Sequence, residues 1–124
     1  MGIAHFTLAT RDLRRTCSFF METFGWRPLQ RTASAPAPVA WLEIVPGQEV
    51  HLIELADFAP SPFEREYGRH IAVSYPAEGF AELKKRLRAQ GAEPIAPERE
   101  PQAERFFFRD PNGYFFEVVR ETKS

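Results

Sequence analysis

Four residues of this chain combine a chemistry with a spacing: His5, Glu54, His70 and Glu117. Two imidazoles and two carboxylates make a borderline-to-hard donor set, suited to Ni, Zn, Fe, Co or Mn rather than to a thiolate site. Glu117 is the most conspicuous, because Tyr114-Phe-Phe-Glu-Val-Val119 surrounds it with strand-forming apolar residues. A carboxylate in that setting needs something positive to meet it. Glu54 sits likewise in Leu52-Ile-Glu-Leu55. Taken singly, a strand His is ordinarily a hydrogen-bonded core or rim residue, and a strand Glu ordinarily faces solvent. The spacing is what sets these four apart.

His70 follows His5 by 65 residues and Glu117 follows Glu54 by 63. Between them the chain repeats itself. Gly91 follows Gly25 by 66, Leu83 and Leu87 follow Phe20 and Phe24 by 63, and Pro111 and Gly113 follow Pro46 and Gly47 by 65 and 66. Strand, helix, helix stop, hairpin turn and carboxylate recur in one order, which is a duplicated β-α-β-β-β unit with about eight strands in all. His51 has no partner at a similar offset and lies on the opposite strand parity from Glu54, so it is expected outside any metal shell.

The elements that position these residues are legible from their periods. Ile3-Ala-His-Phe-Thr-Leu-Ala9 alternates, with Ala4, Phe6 and Leu8 on an apolar side and His5 on a small, polar one. His70-Ile-Ala-Val-Ser74 repeats that pattern, with Ile71 and Val73 behind. Leu13, Cys17, Phe20 and Phe24 fall at helical spacing, with Thr10 or Asp12 as N-cap and Gly25 as stop. Phe80, Leu83 and Leu87 mark a second amphipathic helix, stopped by Gly91. Trp26 to Thr32 reads as an irregular or edge strand, Ala33 to Pro38 as a loop, and Pro46-Gly47 joins the strands 39–45 and 49–55. Pro94 to Pro101 is loop or edge, and Asp110-Pro-Asn-Gly113 is the turn of the last hairpin. The organisation expected is module one over about 1–56, a surface linker over about 57–68 and module two over about 69–120, with a short tail to Ser124.

Bulk properties exclude several classes. The net charge is −1, so no polyanionic partner is implied, and Lys84-Lys85-Arg86-Leu87-Arg88 reads as the wet face and C-terminal end of a helix. A lone Cys17 forms no intrachain disulfide, lies on the apolar helix stripe as core rather than nucleophile, and fits a reducing compartment. No apolar run approaches a membrane span and the first residues lack a signal-peptide pattern, so a cytoplasmic domain without nucleic-acid or membrane partners is expected.

Three motifs then carry a likeness: Ala4-His-Phe-Thr-Leu8 with Arg11-Asp-Leu13 and Phe19-Phe20; Gly68-Arg-His-Ile-Ala-Val73; and Asp110-Pro-Asn-Gly-Tyr-Phe-Phe-Glu117. On these, over nearly its whole length, the chain resembles the vicinal oxygen chelate (VOC) superfamily of glyoxalases, fosfomycin- and bleomycin-resistance proteins, epimerases and extradiol dioxygenases. The resemblance implies an α+β fold of two βαβββ modules forming a cupped mixed sheet with helices on the outer face, often as a homodimer. It puts the family's metal ligands on His5, Glu54, His70 and Glu117. Four ligands including Glu54 look most like glyoxalase I, a lyase in which the metal stabilises an enediolate and a detachable Glu, here Glu117 or Glu54, is the base. Glutathione or another thiol would be the cosubstrate, although Ala9 stands where bacterial glyoxalase I usually has an Arg, and the 33–38 loop does not resemble its glutathione-binding segment. An extradiol dioxygenase or a fosfomycin-type thiol transferase would need only His5, His70 and Glu117, and an epimerase is a further alternative beside the transferase. A non-catalytic bleomycin-type binding protein, the remaining alternative, generally lacks the set. The substrate in every case is a small oxygen-rich molecule, and the site closes within one chain or between two.

Overall fold

The computed structural model describes residues 1–30, 38–100 and 104–122. Most of the loop expected over 33–38, Pro101 and the last two residues of the tail fall outside them. Element order is β1 (His5–Thr10), α1 (Leu13–Phe24), β2 (Arg27–Leu29), β3 (Val39–Val45), β4 (Gln48–Glu54), β5 (Ile71–Tyr75), a 3₁₀ turn (Ala77–Gly79), α2 (Phe80–Ala89), β6 (Arg105–Arg109) and β7 (Phe115–Arg120). The chain divides into two compact units, Met1–Ala59 and Pro60–Ser124.

In the first unit the sheet order is β1-β4-β3-β2, with β1 parallel to β4 and the other pairs antiparallel. Its core side carries Leu8, Leu42, Val50 and Leu52, all nearly inaccessible, against Phe19 and Phe20 of α1. Asp12 caps α1 by accepting from Arg15 N at 3.0 Å, and Gly25 ends it in the left-handed region. The buried stripe of α1 is Thr16, Phe19, Phe20 and Thr23, one step round from the expected Leu13, Cys17, Phe20 and Phe24. Polar residues can take that face because their hydroxyls are satisfied: Thr16 bonds Thr10 Oγ1 at 2.8 Å and Thr23 donates to Phe19 O at 2.7 Å. Cys17 is half-buried and burial pushes its thiol pKa up, which disfavours the thiolate a nucleophile would need.

In the second unit the order is β5-β7-β6, with β5 parallel to β7 and β6 antiparallel to it. Phe106, Phe108, Phe116 and Val118 form the core side against Leu83 and Leu87 of α2. Seven strands stand among the described residues where the repeat implies eight. The missing one is reduced to a single bridge between Ile95 and Phe107, whose backbone groups exchange bonds of 2.7 and 2.8 Å. Pro94 and Pro97 have no N–H to donate, so the ladder does not lengthen on either side. The stretch 60–68, expected as a surface linker, belongs to this unit. Its Glu64 is buried and accepts from Phe115 N at 2.7 Å and from Arg69 Nη1 at 2.9 and 2.8 Å. Gly68 lets this segment turn sharply, since a Cβ there would lie 2.1 Å from Phe63 O.

Candidate functional site

The second unit builds its site on the sheet face away from α2. Ala72 pairs with Glu117 and Glu117 with Phe107, so these three point to one side, with Arg105 two residues along the same strand face. His70, just before β5, reaches Glu117: Nε2 lies 3.2 Å from Oε1. The Glu117 side chain is only 5% exposed and that of His70 25%. The Phe107 ring meets the imidazole edge-on at 5.7 Å and walls one side of it. Behind the pair, the Asp110–Gly113 turn fixes the strand. Asp110 accepts from Asn112 N and Tyr114 N, both at 2.9 Å, and Gly113 adopts a φ of 91° that suits glycine.

Positive charge does meet Glu117, from a source the sequence reading did not name. Arg99 Nη2 and Arg105 Nε each stand 3.8 Å from Glu117 Oε2. The loop carrying Arg99 is tethered. Glu66 accepts from Glu98 N at 2.8 Å and Arg99 N at 3.2 Å, and Arg105 Nη2 donates to Arg99 O and Glu100 O. Distances of 3.8 Å give attraction without hydrogen bonding. Accordingly Glu117 Oε2, Arg105 Nε and His70 Nδ1 are buried with no hydrogen-bond partner among the described residues. These three atoms lie in one cluster around Glu117.

In the first unit His5 is paired with His51, not with Glu54. The two imidazoles stack with centroids 3.9 Å apart and 13° between their planes. Glu49 Oε1 lies 2.9 Å from His51 Nε2, and Trp41 stands edge-on to His51 at 6.0 Å. The ladder explains the pairing. His5 is opposite Glu49 and Thr7 opposite His51, so these residues share a face. Glu54 is opposite Thr10, at the other end of the ladder and on the core side, about 16 Å along the strands from His5. Its Oε2 accepts from Leu13 N at 2.9 Å, which serves the N-terminus of α1. The expected His5–Glu54 pairing is thus replaced in the structure by His5–His51.

The signal for His51 was present in the offsets. Phe6 pairs with Val50 as Ile71 pairs with Phe116, so the ladder position equivalent to Glu117 is the residue after Val50. That residue is His51, 66 before Glu117, the same offset that relates the stop glycines and the turn glycines. Matching carboxylate with carboxylate at 63 followed residue type and slipped the register by three.

The residues present fit a divalent metal in one respect that can be measured. Two cis ligands each about 2.0–2.2 Å from an ion, at angles between octahedral and tetrahedral, stand about 2.9–3.5 Å apart. His70 Nε2 and Glu117 Oε1, at 3.2 Å, lie inside that interval. Among the described residues no group of three or more His, Cys, Asp or Glu is assembled to hold an ion. No helix among them is long and apolar enough to cross a membrane.

Comparison with known proteins agrees with this architecture. The family described as the Glyoxalase/Bleomycin resistance protein/Dioxygenase superfamily matches residues 2–118. A curated relative, "Glyoxylase I 4" of Arabidopsis thaliana, is 25% identical over 94% of this chain and 69% of its own length. Among solved structures, a mutant of the fosfomycin resistance protein FosX from Listeria monocytogenes, complexed with Mn(II) and 1S,2S-dihydroxypropylphosphonic acid, superposes with a TM-score of 0.80. It is 25% identical, over 98% of this chain and 92% of that one. FosX from Mesorhizobium loti, at 22% identity and a TM-score of 0.76 over 98% and 92%, shares the fold.

Proposed function

Because the chain belongs to the Glyoxalase/Bleomycin resistance protein/Dioxygenase superfamily, we propose that it is a divalent-metal-dependent enzyme acting on a small molecule through two of that molecule's oxygens. The carrying observation is the His70–Glu117 pair, a 95%-buried carboxylate facing an imidazole at a chelating distance. His70 Nε2 and Glu117 Oε1 are the groups that would hold the ion, with His5 as the further imidazole and His51 beside it. A bound divalent cation would supply Lewis acidity and a template for vicinal substrate oxygens. Phe107 holds the His70 ring and keeps water from that side. Arg99 and Arg105 hold positive charge at the outer oxygen of Glu117.

A 2-His-1-Glu set suits a fosfomycin-resistance-type transferase and an extradiol-type dioxygenase alike, and the likeness to FosX complexed with Mn(II) and 1S,2S-dihydroxypropylphosphonic acid supports the first. The engagement of Glu54 with Leu13 N supports a three-ligand set over the four-ligand shell of a glyoxalase I-type lyase. The Arabidopsis relative supports that lyase as the second reading, with Glu117 as the base. Metal content of purified protein, measured for His5→Ala, His51→Ala, His70→Ala and Glu117→Gln, tests the proposal. Loss of metal from the His70, Glu117 and His5 variants is the expected result, and metal unaffected by Glu117→Gln refutes it. We further propose a homodimer. Mixing His5→Ala with Glu117→Gln protein restores a fraction of metal sites if each site takes residues from two copies, and none if it closes within one. Activity against an epoxide with water or glutathione, methylglyoxal with glutathione, and catechol with Fe(II) and O₂ then separates the reactions.

A further inference from the structure

We propose that Glu64 is a positioning residue for the His70–Glu117 pair, setting through Arg69 and Phe115 where the His70 imidazole stands. The inference rests on the metal reading above and names a further residue on which metal affinity depends. The β5–β7 ladder begins where Ile71 pairs with Phe116, so His70 lies one residue outside it. Phe115, the β7 residue level with His70, donates its N–H to Glu64 Oε1 at 2.7 Å. The Glu64 carboxylate thus serves as the acceptor beyond the end of the ladder, at the point where the imidazole leaves the sheet.

The other end of the clamp is Arg69, the residue before His70. Both Glu64 oxygens accept from Arg69 Nη1, at 2.9 and 2.8 Å, and the guanidinium carbon lies 5.2 Å from the centre of the Tyr114 ring. Arg69 N donates to Phe63 O at 2.7 Å and Gly68 N to Arg65 O at 3.1 Å, so the segment 63–69 closes on itself. The buried carboxylate inside it joins that segment to β7. The clamp also reaches the ring. Phe115 stacks on Phe107 with centroids 4.9 Å apart, and Phe107 meets the His70 imidazole edge-on. Moving Phe115 therefore disturbs both the backbone beside His70 and the wall that orients its ring. A metal-bound histidine ordinarily has its second ring nitrogen fixed by a carboxylate or a carbonyl. His70 Nδ1 has no such partner among the described residues, so the placement of this ring falls to backbone and packing.

Full-length Glu64→Ala, Glu64→Gln and Thr23→Ala proteins test this beside wild type, the last as a destabilised control in the core of the first unit. Two readouts are taken where each protein is folded: the ring resonances of the three histidines in metal-free protein by NMR, and Mn(II) affinity by calorimetry. In Glu64→Ala the His70 resonances should move while those of His5 and His51 hold, and Mn(II) affinity should fall by about 10-fold. Glu64→Gln, which keeps an acceptor for Phe115 N, should restore part of both. Thr23→Ala should match wild type in resonances and affinity. Unmoved His70 resonances in Glu64→Ala, or a Mn(II) affinity within about threefold of wild type, overturn the positioning role. So does an equal loss in Thr23→Ala, which would make the effect a general loosening of the fold. Where Glu64→Ala does not fold, moved His70 resonances in Glu64→Gln support the role and unmoved ones overturn it. Failure of wild type to bind Mn(II) overturns the metal reading, and the His70 resonances still decide whether Glu64 places the ring.

Discussion

Glu64→Ala is the substitution that most directly tests how the second unit sets its site. Glu64 is 4% exposed, and its carboxylate joins Arg69 Nη1 and Phe115 N. Arg69 immediately precedes His70, and Phe115 lies two residues before Glu117. One side chain thus ties the start of β5 to the start of β7 and fixes how far His70 stands from Glu117. The cost of removing it has two parts. Phe115 N loses its acceptor in a buried setting, which costs about 1–3 kcal/mol. The ion pair adds less, because the Arg69 side chain is 43% exposed and screened by solvent, so about 0.5–1 kcal/mol is the appropriate allowance. Together these come to about 1.5–4 kcal/mol, read as a lowered urea midpoint at an unchanged m-value. Glu64→Gln keeps an acceptor for Phe115 N and should recover more than half of that loss. A Glu64→Ala loss below about 0.5 kcal/mol, or a Gln variant no better than Ala, would refute the assignment of Phe115 N as the main term.

Two other outcomes follow from two further carboxylates, one in each unit. Burial pushes the Asp110 pKa up from 3.8 to about 6, against hydrogen bonds from Asn112, Tyr114 and Gly113 that pull it down. A folded-state value above the unfolded one means that the native state holds the proton more tightly. Its contribution is full below about pH 4 and is lost as pH rises through about 6, roughly 3 kcal/mol in all. The stability difference between wild type and Asp110→Asn, measured by urea unfolding at pH 4 and pH 7, should therefore shift in favour of the variant at pH 7. A difference independent of pH would contradict the burial argument. Glu54→Ala removes the acceptor for Leu13 N and should lower stability by about 1 kcal/mol while leaving metal content intact. Loss of metal would return Glu54 to the ligand set.

What the sequence made legible was periodicity, and what it hid was register. The alternation in 3–9 and 70–74, the helical stripe ending at Gly91 and the Asp-Pro-Asn-Gly turn each encode a local geometry that one residue type enforces. The repeat of those features gave the two units and the α+β architecture. The pairing of β1 with β4 is different in kind, because it is set by packing between residues more than 40 positions apart. Nothing local distinguishes a carboxylate on the open face from one at the core-side end of the same strand. Glu54 reads like Glu117 in its apolar flanks, yet it points toward the N-terminus of α1. The Glu64 clamp was invisible for a related reason: a stretch with two prolines and several charges is compositionally a linker, and only the Phe115 N–H shows what its buried carboxylate is for.

The two units therefore share a fold while differing at the equivalent ladder position. Where the second has Glu117 facing His70, the first has His51 stacked on His5. An imidazole stands where the second unit has a carboxylate, and Glu49 faces His51 there. The buried cluster of charged groups around Glu117 is built by the second unit. Its carboxylate, its two arginines and its three unpartnered atoms lie within one strand face and one tethered loop.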